Sequence, residues 1–317
     1  MAQSLFITLK NEHPNAEIDV VAPAWSVPLL NRMPEIHQAI ELPVGHKRLG
    51  LLTRYKIGES LRARRYDQAI VTPRSFKSAL IPFFAKAKKR TGYRGEMRYG
   101  LLNDIRPMDK AVLRQTVQRY VGLGLPATPS APANIPVPKL DVDIEKQKQL
   151  VDKLKLSIER PIIGFMPGAE YGPAKQWPVK YFNDLAGLLA DKNVNVWVFG
   201  SDKEAKLGEV IANGNENASN LCGKTSLIDV VDLLALTTNT VTNDSGLMHV
   251  ACATGGRVVA IYGSSDPEYT PPLSDKADIV YKGLECSPCF KRHCPYGHTN
   301  CLNTIYPQDV FKIITNE

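Results

Sequence analysis

Three loops in the second half of the chain combine glycine with charged or hydroxyl side chains, and each follows a short apolar run typical of a buried strand. The first loop follows Ile162–Met166 and contains Gly168 and Lys175. A glycine lets the backbone approach a ligand closely, and a lysine places a compact positive charge on a pyrophosphate. The alternative interpretation is a plain strand-to-helix connection, in which glycine and proline only mark the turn.

The second loop runs from Gly200 to Glu204, at the end of the next apolar run. Gly200 permits a tight turn, and Ser201 or Asp202 can cap the helix that follows. Glu204 lies in the first turn of that helix, where the helix dipole favours an acid. Capping accounts for most of this pattern, but a carboxylate here can also bind a ribose hydroxyl, as acids do in nucleotide-binding α/β folds.

The third loop, Asp244-Ser245-Gly246 followed by His249, is the most specific of the three. Backbone amides at a helix N-terminus favour an anion, and Ser245 and Gly246 allow a diphosphate to come close. Asp244 can cap the helix or bind a sugar hydroxyl. His249 lies four residues after Ser245 and shares its helix face, so a proton donor would face the same ligand. A structural histidine is the alternative interpretation.

Composition narrows the class of partner. Neither Walker A spacing nor the dinucleotide glycine fingerprint occurs in these loops, which argues against a P-loop NTPase and an ordinary dehydrogenase. The chain has 39 basic and 32 acidic residues, a net charge of +7, with much of the excess in its first half. We predict a basic face that favours an anionic partner and contains Lys86, Lys88, Lys89, Arg90, Arg94 and Arg98. A phosphorylated lipid or an anionic membrane fits this charge; nucleic acid ranks last, because no nucleic-acid-binding motif accompanies it.

The loops belong to a chain in which apolar runs alternate with helical stretches, the pattern of doubly wound parallel sheets. A length of 317 residues is more than one core usually serves, so we predict two domains. The segment 126–138, rich in proline and alanine, is the predicted linker between a domain at 1–138 and a domain at 139–317. No apolar run approaches the ~20 residues of a membrane-spanning helix, and we expect a cytoplasmic protein.

The first domain is expected to begin inside a βαβ unit. A helix at 2–13 leads directly into a strand at 18–21, and the strand that should precede this helix is not found in the sequence. We therefore expect the chain to be truncated at its start. Further strands are predicted at 40–42, 68–72 and 90–93, with helices at 60–65 and 76–86.

Together, the three loops resemble those of the ADP-heptose:lipopolysaccharide heptosyltransferases of glycosyltransferase family 9, most closely the heptosyltransferase II branch. The resemblance covers nearly the whole chain and includes Ala22-Pro-Ala-Trp25 and Cys286-Ser-Pro-Cys289-Phe-Lys-Arg-His-Cys294. It implies the GT-B architecture, in which two Rossmann-like domains face a cleft. The first domain would bind the acceptor and the second would bind ADP-heptose.

The resemblance also implies roles for individual residues. Gly168 and Lys175 would contact the donor phosphates, and Glu204 would contact its ribose or adenine side. The diphosphate and the heptose would be lined by Asp244, Ser245, Gly246 and His249. The candidate catalytic residues are Lys175, Asp244 and His249, and no metal cofactor is expected.

The implied reaction is an inverting transfer of L-glycero-D-manno-heptose from ADP-heptose to the first heptose of the lipopolysaccharide inner core. The acceptor would be heptosyl-Kdo2-lipid A at the cytoplasmic face of the inner membrane. The family's first strand usually ends in a Gly-Asp pair whose aspartate is the proposed general base, and no such pair precedes the first helix here, so we expect impaired turnover. Two alternatives stay open: a GT-B transferase with another nucleotide sugar, such as UDP-N-acetylglucosamine, or a non-catalytic nucleotide-sugar-binding protein.

A cysteine cluster near the end of the chain suggests a separate hypothesis. Cys286, Cys289, Cys294 and Cys301 have the spacing C-x2-C-x4-C-x6-C, with two histidines between them. This spacing supports a structural zinc site. The alternative is a set of reduced thiols without metal, because the resemblance implies no metal requirement.

Overall fold

The computed structural model describes residues 1–45 and 48–316, and the chain divides into two compact units, Met1–Pro136 and Val137–Glu317. In both units every strand of a sheet pairs in parallel with its neighbours. Within the described residues, no helix has the length and apolar character required to cross a membrane.

The first unit alternates short helices with short strands. Its helices are α1 (Ala2–Glu12), α2 (Val27–Leu30), α3 (Leu51–Ser60), α4 (Leu80–Phe84) and α5 (Thr116–Gly124). Its strands are β1 (Asp19–Ala22), β2 (Gln38–Glu41), β3 (Gln68–Val71), β4 (Lys89–Tyr93) and β5 (Asp104–Arg106). They form a two-stranded sheet, β1-β2, and a three-stranded sheet, β3-β4-β5. The absence of a first strand stays a prediction.

One helix of the first unit lies upstream of its predicted position. The prediction at 60–65 is wrong, because Arg62–Arg64 forms only a short 3-10 turn after α3. Helix α3 is held by packing on α4: a Cβ on Gly58 would lie 2.5 Å from the Cβ of Phe84, and the rings of Tyr55 and Phe84 meet edge to face with centroids 5.2 Å apart. The arginine-rich segment offers no apolar side chain of this kind.

The predicted basic residues do not form one face. Lys86 and Lys89 lie at the amino end of β4, and Arg94 lies just beyond its carboxyl end, so the strand separates them to opposite ends of the sheet. Arg98 is only 2 % exposed, and its guanidinium donates to the backbone carbonyls of Pro73 and Tyr93. Its charge therefore holds loops of the first unit together rather than facing a partner.

The second unit is built on one larger sheet. Its helices are α6 (Ile144–Lys153), α7 (Val179–Ala190), α8 (Ala205–Ala212), α9 (Leu227–Leu234), α10 (Gly246–Ala253), α11 (Asn300–Asn303) and α12 (Pro307–Thr315). Its strands are β6 (Ile162–Met166), β7 (Asn195–Val198), β8 (Ala218–Asn220), β9 (Asn239–Asn243), β10 (Arg257–Tyr262) and β11 (Ala277–Tyr281).

The order of this sheet, β11-β10-β9-β6-β7-β8, reverses between β6 and β9. In open parallel sheets, a crevice forms outside the carboxyl ends of the strands at such a reversal, and ligands bind there. Below this edge, Phe165 and Phe182 are fully buried against Trp177, whose indole N–H donates to the carbonyl of Ile305 at 2.9 Å. The loops at the reversal therefore stand on a packed core.

Candidate active site

An ion pair joins the first and third loops singled out in the sequence. Lys175 ends a short turn after β6, and Asp244 follows β9; their Nζ and Oδ2 atoms are 2.5 Å apart. The two residues are 69 positions apart in sequence, and they meet because β6 and β9 are hydrogen-bonded neighbours. The Asp244 side chain is only 6 % exposed and that of Lys175 is 18 % exposed. The ammonium thus compensates a carboxylate that has lost most of its water.

Asn243 holds the loop that carries Lys175 at both ends. Its fully buried side chain accepts from the backbone N–H of Trp177 at 2.9 Å and donates to the carbonyl of Pro167 at 2.8 Å. The sequence pattern alone does not indicate a role for Asn243. An asparagine at a strand end is ordinary in a sequence, and only the pairing of β6 with β9 shows that it bridges two loops.

Helix α10 begins with polar atoms that its own backbone does not use. Ser245 is the N-cap residue, yet its side chain makes no capping hydrogen bond. Its Oγ and the Nδ1 of His249 are buried and have no hydrogen-bond partner among the described residues. Buried polar atoms without partners are uncommon, and they are expected where a ligand supplies the partner. The start of α10 therefore contains two buried polar atoms, on Ser245 and His249, that lack a hydrogen-bond partner within the described residues.

His249 carries no charge at neutral pH. Burial lowers its pKa from 6.5 to about 4; the carboxylate of Asp244 opposes this shift and the ammonium of Lys175 adds to it. A neutral imidazole has one N–H donor and one acceptor nitrogen. His249 can therefore hydrogen-bond to a ligand but adds no positive charge to the site.

The second loop lies on the other side of β6. The carboxylate of Glu204 accepts a hydrogen bond from the backbone N–H of Ser201 at 2.7 Å and another from its hydroxyl, which forms a capping box. A Cβ on Gly168 would lie 3.1 Å from Oε1 of Glu204, so a larger residue there would require the Glu204 side chain to shift. The structure brings Glu204 to Gly168 and Lys175 to Asp244, as two neighbouring pairs.

Further side chains near Lys175 were not predicted. The ammonium lies 5.2 Å from the ring centroid of Tyr171, and the guanidinium of Arg292 lies 5.3 Å from the same ring. Thr270 donates to Oδ1 of Asp244 at 3.4 Å. The carbonyl of Arg292 also accepts from the N–H of Ala174 at 3.1 Å. The cysteine-containing segment thus braces the loop of Lys175.

The zinc hypothesis stays a prediction. The four cysteines lie near one another, since burial and then Cys286, Cys289 and Cys294 raise the pKa of the Cys301 thiol. All six cysteines are free thiols. Within residues 1–45 and 48–316, no three His, Cys, Asp or Glu side chains are grouped so that they could hold a metal ion.

The comparisons with known proteins identify the family to which this chain belongs. The family model for glycosyltransferase family 9 (heptosyltransferase) matches residues 54–300. The chain is 45 % identical to lipopolysaccharide heptosyltransferase 2 of Escherichia coli K12, over 98 % of this chain and 92 % of that protein. It is 49 % identical to lipooligosaccharide heptosyltransferase 2 of Haemophilus influenzae, over 88 % of this chain and 84 % of the relative.

A solved structure described as E. coli ADP-heptose lps heptosyltransferase II matches with a TM-score of 0.87 and 43 % identity. The match covers 99 % of this chain and 93 % of the other. The predicted fold class, α/β of GT-B type, and the predicted enzyme class are thereby confirmed. On the family model and on identities well above 30 % over most of its length, this chain belongs to glycosyltransferase family 9, the heptosyltransferases.

Proposed function

We propose that the second unit binds ADP-heptose at the carboxyl ends of β6 and β9, and that the protein transfers its heptose to the first heptose of the lipopolysaccharide inner core. The observation that carries this proposal is the Lys175–Asp244 pair beside the unpartnered polar atoms of Ser245 and His249. A sugar diphosphate complements this set: its phosphate oxygens accept from Lys175 and Ser245, and its sugar hydroxyls donate to Asp244. The related E. coli structure is described with ADP-heptose in its name.

The proposed reaction forms one bond and breaks one bond at the anomeric carbon. The acceptor hydroxyl oxygen attacks C1 of the heptose from the face opposite the diphosphate, and its proton passes to a base. The C1–O bond to the β-phosphate breaks, and its electron pair leaves with ADP. Negative charge then develops on the phosphate, where the Lys175 ammonium and the N–H groups at the start of α10 stabilise it. Lys175 would shift from Asp244 towards the phosphate, while Asp244 accepts from a heptose hydroxyl.

The first unit is proposed to bind the phosphorylated acceptor and the anionic inner face of the membrane. Large apolar side chains are exposed after β1, after β4 and at the start of α3, which follows β2: Trp25 (71 %), Met97 (82 %), Tyr99 (65 %) and Leu52 (66 %). Exposed basic residues share these loops or lie after β3: Arg48, Arg74 and Arg94. Two hydrogen bonds connect the loops, from Lys77 to the carbonyl of Arg48 at 3.1 Å and from Arg74 to the carbonyl of Arg94 at 3.2 Å. Apolar and basic side chains on one surface suit an anionic amphiphile.

The first experiment tests which nucleotide sugar the protein binds. Calorimetric titration with ADP-heptose should give binding that UDP-sugars and GDP-sugars do not reproduce, and heptosyl-Kdo2-lipid A should then accept the heptose. Preference for a UDP-sugar would replace the proposal with the alternative transferase. Selective ADP-heptose binding without turnover would favour the non-catalytic alternative.

The membrane proposal has its own experiment. Cosedimentation with vesicles should require anionic lipid and should weaken with rising salt, because surface charge is screened. Trp25→Ala with Leu52→Ala should reduce binding, while Val210→Ala, a similarly exposed apolar residue on α8 of the second unit, should not. Equal binding to neutral vesicles would overturn the proposal.

A further inference from the structure

Two serines that follow β10 are buried, and their hydroxyl groups make no hydrogen bond within the described residues. Ser264 is 1 % exposed and Ser265 is 3 % exposed. The Oγ atoms of both residues have no hydrogen-bond partner in the part of the chain that the structure describes. Burying a hydroxyl without a partner costs free energy, so such groups are kept where something else supplies the hydrogen bond.

The position of these serines points to the donor site. Strand β10 pairs with β9, and the N–H of Asp244 donates to the carbonyl of Ile261 at 3.2 Å. The N–H of Ser264 donates at 3.3 Å to the carbonyl of Ala174, the residue before Lys175. Thr270, further along the same loop, reaches the carboxylate of Asp244. The serines therefore lie between the two loops that form the Lys175–Asp244 pair.

The chain around these serines is well ordered, because a backbone carbonyl and a neighbouring hydroxyl group both make hydrogen bonds. The carbonyl of Ser264 accepts from the N–H of Phe290 at 2.7 Å. Ser287, on the adjacent segment, donates its hydroxyl to the carbonyl of Gly263. Only the hydroxyls of Ser264 and Ser265 are left idle at this bend, among the serines that the structure places there. Their main chain is fixed, so the hydroxyls are held in place before any ligand arrives.

We propose that the hydroxyls of Ser264 and Ser265 donate hydrogen bonds to the diphosphate of the nucleotide sugar. This inference rests on the proposed function, since it assumes that the donor lies beside Lys175. The diphosphate is favoured over the sugar because the Lys175 ammonium and the amides at the start of α10 attract an anion to this place. A hydroxyl donor to a charged oxygen makes a stronger hydrogen bond than one between neutral groups, and it adds no charge of its own.

The test measures ADP affinity and thermal stability in the same variants. Loss of a serine hydroxyl should weaken ADP binding without lowering the Tm. Ser264→Ala and Ser265→Ala should each weaken ADP binding about tenfold in a calorimetric titration, the usual size for loss of a hydrogen bond to a charged group. Without ligand, the Tm of each variant should be equal to or above that of the parent chain, because an unsatisfied hydroxyl has been removed.

Thr237→Val is the matched control. Thr237 is 7 % exposed at the opposite end of β9, and its hydroxyl donates to the carbonyl of Leu234 at 2.7 Å. This variant should lower the Tm and leave the Kd for ADP unchanged. Variants of Ser264 and Ser265 that behave like this control would overturn the inference. Weaker binding of ADP-heptose with unchanged binding of ADP would also overturn it, since the contact would then be to the sugar.

ADP titration of Lys175→Ala in the same series distinguishes the role of the serines from the proposed donor site beside Lys175. If Lys175→Ala weakens ADP binding and the serine variants do not, the serine inference alone is wrong. If Lys175→Ala also leaves ADP binding unchanged, the donor site itself is wrong, and the serine inference falls with it.

Discussion

The loops that follow β7 and β9 begin alike but differ in what their polar groups do. Each passes from a strand through a serine into a helical turn. After β7, Ser201 and Glu204 satisfy one another in a capping box. After β9, the Ser245 side chain makes no capping bond and its Oγ is buried without a partner. A helix-start motif is therefore a stronger candidate for a ligand site where its capping side chain is left unused.

Loss of the Lys175 ammonium should have the largest effect, because Lys175 pairs with Asp244 in the loop that follows β9. Lys175→Ala leaves the buried carboxylate of Asp244 without its cation, which should cost about 3–5 kcal/mol of the free energy of unfolding. Urea unfolding would measure this loss. The double variant Lys175→Ala, Asp244→Ala should recover much of the stability without recovering ADP binding. A single variant as stable as the parent would show that the pair is not coupled.

The pH dependence of stability should show the next largest effect. Because burial lowers the pKa of His249 from 6.5 to about 4, the unfolded chain takes up a proton at a higher pH than the folded chain. The contribution of neutral His249 is therefore complete above pH 6.5 and is lost as pH falls towards 4, up to about 3 kcal/mol. Unfolding of His249→Gln across this window should show a flatter dependence. If the free energy of unfolding had the same pH dependence in both chains, the assignment of a neutral, buried imidazole would be contradicted.

Asn243→Ala should have the third largest effect. It should lower the free energy of unfolding by about 2–3 kcal/mol, because it leaves two buried backbone groups without partners. It should also weaken ADP binding, since the loop of Lys175 loses its attachment at both ends. Asn183→Ala is the control: that side chain donates to the carbonyls of Val210 and Ile211, away from the site. A normal Kd for ADP in Asn243→Ala would show that the loop is positioned by other contacts.

The fold class could be predicted from the sequence, whereas the contacts among the candidate site residues could not. Apolar runs such as that at β6 identify buried strands, because a parallel sheet covered on both faces needs them. The contact of Lys175 with Asp244 depends on strand order, which local pattern does not encode. Ser264 and Ser265 were missed because serines in a loop are ordinary until burial shows that they lack partners. The burial of Arg98 was missed because one of its carbonyl partners, Pro73, lies 25 residues away in the sequence.

Glu204→Ala should have the smallest effect, because the loop after β7 uses this side chain only for capping. It removes the acceptor that caps the turn after Ser201, which is worth about 1 kcal/mol. Thermal unfolding should show this loss. ADP titration of the same variant should change less than that of the serine variants after β10. A larger loss of affinity would mean that Glu204 contacts the donor, as the resemblance implies, in addition to capping the turn.

The most direct measurement is the Kd for ADP of Ser245→Ala and Ser201→Ala, determined side by side by calorimetric titration. Both variants remove one hydroxyl from a serine between a strand and a helical turn. We expect about tenfold weaker binding for Ser245→Ala, with stability unchanged, and a Kd within about twofold of the parent chain for Ser201→Ala. Unchanged affinity in Ser245→Ala together with a loss in Ser201→Ala would place the donor after β7 and contradict a donor site after β9.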